Sequence, residues 1–181
     1  GTVRLPPDVQ LHDLHYIQNA LPQQLSVQLL DYTDSTNSEM MRRHTKSGGA
    51  DQLILTEYQS AGRGRRGKVW LGDYGRNIAM TLGIEFPLNL NALGGLSSVV
   101  GLALLQALEL EGVEAQLKWP NDVWVKEQKL AGILVELVPT KVGTLAIVGI
   151  GINVDLTNVQ ASKIDQSVTT LRRLGALISR D

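Results

Sequence analysis

The stretch from residue 121 to residue 155 limits the fold more than any other part of the chain. NDVWVKEQKLAGILVELV (121–138) carries dense aliphatic and β-branched residues on both sides of a polar break at Lys126 to Gln128, which predicts a β-hairpin. GTLAIVGIGINVD (143–155) predicts another strand pairing with it. Earlier in the chain the order is different. SVQLLDY (26–32) predicts a short strand, 33–48 a capped helix, and DQLILTEYQ (51–59) an interior strand with a dense apolar centre. GRNIAMTLGIEF (75–86) is strand-like, 90–112 predicts a long buried helix rich in Ala and Leu, and AQLKWP (115–120) a short strand stopped by Pro120. The remainder, 156–181, is polar and then weakly helical. Hairpins in one part and strand–helix–strand in another predict an α+β domain, a mixed β-sheet with helices mainly on one face.

The helix over 33–48 has several candidate start signals. Thr36 and Glu39 have capping-box spacing, Asp34 and Ser35 are alternative caps, and Gly48-Gly49 ends it.

The 181 residues suffice for one domain with a real core, and 43% apolar content excludes a disordered chain. The net charge of −1 supplies no global field to recruit nucleic acid or a membrane surface. No cysteine is present, which excludes a thiolate metal site and a cysteine nucleophile. His12, His15 and His44 have no spacing with carboxylates that suggests a metal cage and read as ordinary surface or packing residues. No apolar run of membrane-spanning length and no leader peptide is expected.

GRGRRGKVW (62–70) places three glycines and four cations in seven residues. It matches G-x-G-x-x-G and the start of G-x-x-x-x-G-K-[ST]. The second pattern fails because Val69 stands where a hydroxyl would hold magnesium. The first fails because a strand follows, not the helix whose N-terminus receives a pyrophosphate. Three readings remain: a solvated turn, a nucleic-acid contact loop, or a lid. In the lid, glycines let the backbone close on a ligand and Arg63, Arg65, Arg66 and Lys68 neutralise its charge. Trp70 would then cover a ring or stack on a base.

This loop is one of five blocks. DSTN (34–37), EYQSAGRGRRGKVW (57–70), KWPNDV (118–123), KLAGILVE (129–136) and GIGINV (149–154) occur in this order. Together, over residues 10 to 155, they closely resemble the biotin protein ligases, also called biotin–[acetyl-CoA-carboxylase] ligases. The resemblance implies a mixed sheet related to class II aminoacyl-tRNA synthetase cores and a two-step reaction. Biotin and ATP, the latter with Mg²⁺, give biotinyl-5′-AMP and pyrophosphate. A lysine of a biotin carboxyl carrier protein of acetyl-CoA carboxylase then takes the biotin and AMP leaves. The chemistry suits the residue types: a carboxylate must approach an α-phosphate, so cations are needed on both.

By resemblance, Ser35, Thr36 and Asn37 stand at the biotin ring, with Ser35 and Thr36 on its ureido group, and Gln59 contacts the same head group. Plain helix capping is the alternative for the first three. Gly62, Arg63, Gly64 and Arg65 match the loop that wraps the biotin tail and the adenylate phosphate, with Arg65 retaining the intermediate. Arg66 and Lys68 face ATP phosphates. Lys118 is the main catalytic expectation, bridging the biotin carboxylate and the α-phosphate; Arg63 and Arg65 complete the catalytic set. Asn121 and Asp122 orient Lys118, bind Mg²⁺–ATP, or form only a turn. Gly132 and Leu134 line the biotin pocket, Trp70 and Asn153 the adenine site, and Lys129 reaches a phosphate.

The resemblance also implies what lies elsewhere. The expectation is a single catalytic domain over 1–181, without the helix-turn-helix and the small C-terminal β-barrel that many members carry. No nucleic-acid binding and no membrane are expected, the location implied is cytoplasmic, and transfer is expected to be impaired without the barrel. Some relatives form a homodimer by pairing sheet edges. Competing readings are a lipoate or octanoate transferase and a non-catalytic biotin-binding module.

Overall fold

A computed structural model describes residues 5–6, 9–48, 51–176 and 179–181. Its centre is a seven-stranded sheet of order β1-β2-β5-β9-β8-β7-β6. The strands are β1 (Ser26–Leu30), β2 (Gln52–Thr56), β5 (Ile78–Phe86), β6 (Gln116–Lys118), β7 (Asp122–Val125), β8 (Gln128–Pro139) and β9 (Thr144–Ile152). β1 and β2 run parallel and every other neighbouring pair is antiparallel. The sheet is therefore mixed, as expected, with helices α1 (Leu14–Ala20), α2 (Thr36–Ser47), α3 (Leu96–Leu110) and the short α4 (Asn158–Ala161) around it.

The helices do not gather on one face. Met40 of α2 packs with Ile54, Leu145 and Ile147. Ile17 of α1 packs with Leu53 and Leu55 on the opposite side of β2. Leu104 and Leu108 of α3 join Ile152, Val123 and Leu130 in the largest core cluster. Residues 54 and 53 point to opposite faces of one strand, so α2 covers one face and α1 the other. Ile78 packs with the α3 cluster and Met80 with the α1 cluster, so α1 and α3 share a face. Covering on both faces explains why β9 is apolar without alternation: Thr144 to Val148 are all buried.

Residues 90–112 depart from a single buried helix. A 3₁₀ turn over Leu90–Leu93 is separated from α3 by Gly94 and Gly95. The stretch Leu90–Leu110 is long and apolar enough for a membrane span by composition, with mean hydropathy 1.6 in its best window. The fold uses only one stripe of it against the sheet: Gly101, Leu104 and Leu108 are buried, while Val99, Leu102 and Leu110 are exposed. Gly101 gives Leu117 its seat on α3: a Cβ there would lie 2.6 Å from Leu117 Cδ1, and the leucine would have to shift.

The predicted turn of the 121–138 hairpin is a two-residue connection. Lys126 and Glu127 have φ of 47° and 63°, the left-handed pair that matches strand twist. β7 and β8 then contain a bulge: Val123 pairs with Ala131 and Trp124 with Lys129, leaving Leu130 without a partner. A strand of strict period two would send residues 129 and 132 to opposite faces. The extra residue sends both to the α2 face, while Leu130 and Ala131 enter the core.

Of the two readings for His12, surface or packing, the structure gives packing. The histidine is buried in a cluster with Glu57 and Arg180, the latter two pairing at 2.7 Å.

Candidate active site

A cavity of about 340 Å³ opens on the α2 face of the sheet, between the start of α2, the strands β8 and β9, and the basic loop. Its neutral end is built from the first turn of α2. Ser35, Thr36 and Asn37 are all buried. Ser35 takes the N-cap position, with no side-chain cap hydrogen bond. The Thr36–Glu39 capping box does not form, because the helix starts one residue too early for it. Thr36 N and Oγ1 donate to Gln59 Oε1 at 2.8 and 3.2 Å, and Glu39 accepts from Arg42 and Arg43. Asp34 accepts from Ser35 N and from Arg42, and the Arg42 hydrogen bond holds its carboxyl well below the usual range.

Asn37 is clamped on every polar atom. Its Nδ2 donates to Leu134 O and to Glu136 Oε2, and its Oδ1 accepts from Thr81 Oγ1 at 2.6 Å. Ser35 Oγ, by contrast, has no protein partner among the described residues and faces the cavity. Gly149 makes this end possible: a Cβ there would sit 2.1 Å from Asn37 Oδ1.

The basic loop is a folded hairpin over the cavity. β3 (Gly62–Arg63) pairs antiparallel with β4 (Val69–Trp70), and a 3₁₀ turn over Arg65–Gly67 joins them. Gly62 is buried beneath the opposing strand, where a Cβ would lie 2.4 Å from Trp70 O. It shapes the hairpin and does not line the cavity. Trp70 lies against the sheet at glycines: a Cβ on Gly151 would meet Trp70 Cε2 at 2.4 Å, and one on Gly132 would meet Trp70 Cζ3 at 3.1 Å. Arg65 donates to Asn121 Oδ1 at 3.0 Å, while the side chains of Arg66 and Lys68 have no partner among the described residues. Arg63, Gly64, Arg65, Arg66 and Lys68 all border the cavity.

The cationic end of the cavity holds Lys129 where Lys118 was expected. Lys118 does not line the cavity; it is exposed, with Nζ 3.6 Å from the centre of the Trp124 ring. Lys129 does line it. The bulge aims it inward, its side chain is 12% exposed, and its Nζ lies 2.9 Å from Asp122 Oδ1 and 5.7 Å from the Trp70 ring centre. Asp122 therefore serves Lys129 and not Lys118. Asn121 donates to Ile133 O and Asp122 Oδ1, which sets its carbonyl toward Arg65.

Asn153 does not line the cavity either. It is buried below the cavity wall, donating to Lys129 O at 3.3 Å. Its backbone joins Leu130 and Leu171, so it ties strand ends together. The cavity contacts in GIGIN come from Gly149, Ile150 and Gly151 instead, and the signal for the glycines was present: two glycines two apart on a strand share a face. Thr81, Glu136, Trp119 and Gln166 carried no comparable signal.

The sequence matches the biotin/lipoate A/B protein ligase family over residues 29–153. The chain belongs to that family. Among its relatives, the bifunctional ligase/repressor BirA of Escherichia coli is 37% identical across 98% of this chain, and 55% of that protein is covered. The biotin–[acetyl-CoA-carboxylase] ligase of Paracoccus denitrificans is 43% identical across 69% of this chain and 53% of its own length. The chain thus spans about half the length of the curated ligases it matches. The biotin protein ligase from Aquifex aeolicus, solved in complex with biotin and ATP, superposes with TM-score 0.69 at 32% identity, covering 86% of this chain and 63% of that one. The mixed sheet flanked by helices is the fold of the biotin protein ligase catalytic domain.

Proposed function

We propose that the chain is the catalytic core of a biotin–protein ligase, which joins biotin to ATP and passes it to a lysine of a biotin carboxyl carrier protein. The observation that carries this reading is one cavity with two chemically distinct ends. Ser35, Thr36 and Gln59 offer neutral hydrogen-bonding groups at one end; Arg65, Arg66, Lys68 and Lys129 gather positive charge at the other. A cyclic urea with an aliphatic carboxylate tail fits that polarity. The relatives named as biotin ligases, and the Aquifex structure with biotin and ATP, support it.

In the first step a biotin carboxylate oxygen attacks the α-phosphorus of ATP. A bond to the pyrophosphate oxygen breaks and the mixed anhydride forms. Lys129 is placed to offset the repulsion between carboxylate and phosphate, and Arg65, Arg66 and Lys68 are placed to hold phosphate oxygens. In the second step a carrier lysine amine attacks the biotinyl carbonyl and AMP leaves with the bonding electrons. The hairpin covers the cavity and shields the anhydride from water. Among the described residues no three His, Cys, Asp or Glu side chains gather as a metal site. These residues do not form a resident magnesium cage, and magnesium would arrive on ATP's phosphates. Use of ATP and of a carrier protein places the reaction in the cytoplasm.

The decisive assay is biotin-dependent exchange of labelled pyrophosphate into ATP, with lipoate and octanoate as competing carboxylates. Exchange with biotin alone supports the reading. No exchange together with no biotin binding by calorimetry overturns it, and exchange driven by lipoate or octanoate assigns a different acid.

A further inference from the structure

We propose that Glu136 is a positioning residue that latches the basic hairpin over the cavity, and that the Arg63 guanidinium, although it borders the cavity, serves this latch and not the ligand. The inference rests on the ligase reading for its catalytic consequence, and on geometry alone for the latch. Glu136 stands on β8 in register with Ile147, and its side chain is 25% exposed. One carboxylate oxygen pairs with Arg63 Nη2; the other accepts from Asn37 Nδ2 at 2.9 Å. Arg63 Nη1 meanwhile donates to Ser38 Oγ at 3.0 Å. A single guanidinium therefore ties the hairpin to both β8 and α2.

The hairpin needs such an attachment. Only two residue pairs, Gly62 with Trp70 and Arg63 with Val69, form its ladder. Two pairs do not sustain an isolated hairpin in water. Beyond the glycine seats under Trp70, the charged anchors are Arg63 to Glu136 and Arg65 to Asn121. Glu136 also reaches the neutral end: Asn37 continues through Thr81 to within 2.8 Å of Thr36 Oγ1, and Thr36 meets Gln59 just before the hairpin. Head-group end and lid share one hydrogen-bonded path. With Arg63 neutralised by Glu136, the anion-facing charge of the hairpin comes from Arg65, Arg66 and Lys68.

The test compares the full chain with Glu136→Gln, with Arg63→Gln and with the exchanged pair Arg63→Glu/Glu136→Arg. Tryptic cleavage after Arg65 and Arg66, followed by mass spectrometry without ligand, reads the latch. Release of preformed biotinyl-AMP, and kcat against KM for pyrophosphate exchange, read its consequence. Glu136→Gln is expected to raise both cleavage and release about five- to tenfold, with KM for biotin rising and kcat little changed, as for loss of a charge-assisted contact. The exchanged pair is expected to restore slow cleavage, with release slowed only in part because Arg at position 136 cannot accept from Asn37 Nδ2. Unchanged cleavage in Glu136→Gln overturns the latch. Faster release in Arg63→Gln than in Glu136→Gln at equal cleavage places Arg63 on the ligand and overturns its assignment. Failure of the unmodified chain to form adenylate overturns the ligase reading and leaves the cleavage result standing.

Discussion

Lys129 Nζ and Asp122 Oδ1 stand 2.9 Å apart at the cationic end of the cavity, held there by a one-residue bulge. Eleven residues earlier, Lys118 lies outside that cavity against Trp124. The two lysines belong to sequence blocks of equal prominence. The bulge turns Lys129 to the cavity face, whereas Lys118, in register with Asp122, shares that face but stands on the edge strand β6 and leans over Trp124. Lys129→Gln is expected to lower biotin-dependent pyrophosphate exchange by ~10²-fold, the scale of losing one transition-state charge contact. Lys118→Gln is expected to change it by less than about threefold, since an exposed cation contributes little. A larger loss in Lys118→Gln than in Lys129→Gln would return the catalytic role to Lys118.

Gly149 and Gly151 are where the sheet admits its neighbours. Gly149→Ala would drive a methyl group into Asn37 Oδ1, and Gly151→Ala would drive one into the Trp70 ring. Neither neighbour can move away freely, because Asn37 is hydrogen-bonded on both amide atoms and Trp70 is paired through β4. Each substitution is expected to cost about 1–3 kcal/mol of stability, as overpacking does. The biotin dissociation constant should rise at least about tenfold for Gly149→Ala. Calorimetric titration and thermal unfolding measure both effects.

His12 gives the fold an acid-sensitive point. Arg180 can only donate, so its Nη2 contact of 3.0 Å makes His12 Nε2 an acceptor. Nδ1 then carries the proton and lies 3.7 Å from Asp181 Oδ1. Burial first, and then the Arg180 charge, lower the His12 pKa from 6.5, although Glu57 and Asp181 pull the other way. Below pH 6.5 the unfolded chain therefore takes up a proton that the folded chain resists, and stability falls as pH falls through that window. The melting temperature of the unmodified protein should drop more steeply between pH 7.5 and pH 5 than that of His12→Asn, if burial keeps His12 neutral. Parallel profiles would show that other groups govern the acid limb.

The turn at Lys126 and Glu127 places two residues with side chains at positive φ. Left-handed backbone costs roughly 1–2 kcal/mol for a residue with a Cβ, and Asn-Gly carries it with less strain. Lys126→Asn/Glu127→Gly should raise stability by about 0.5–1 kcal/mol after the extra entropy of glycine is subtracted. Both side chains are exposed and outside the cavity lining, so exchange activity should stay unchanged. Denaturant titration and the exchange assay check the two halves.

Much of this architecture was legible in the residue order. The strands over 26–30, 52–56 and 78–86, the hairpin turn after Val125 and the α2 N-terminus follow from patterning and turn chemistry that act over a few residues. The gathering of Ser35, Gln59, Arg65, Asp122 and Gly132 on one cavity was legible through the five blocks. Less of the rest was visible. α3 looked buried because its composition is apolar, yet composition does not say how much partner surface is available; the sheet covers one stripe and leaves Val99, Leu102 and Leu110 outside. His12 looked ordinary because its partners Glu57 and Arg180 lie 45 and 168 residues away.

By itself the sequence determined most strands of the sheet, α2, most of α3, the turn after Val125 and which family the chain joins, but not α1 or the β3–β4 hairpin. Those properties depend on local backbone preference and on ordered blocks of residue types. Only the tertiary structure decided which lysine enters the cavity, which atoms of GIGIN touch it, and that Arg63 turns to Glu136. A side chain's direction on a strand reverses with each residue of register. One bulged leucine at position 130 was enough to set it.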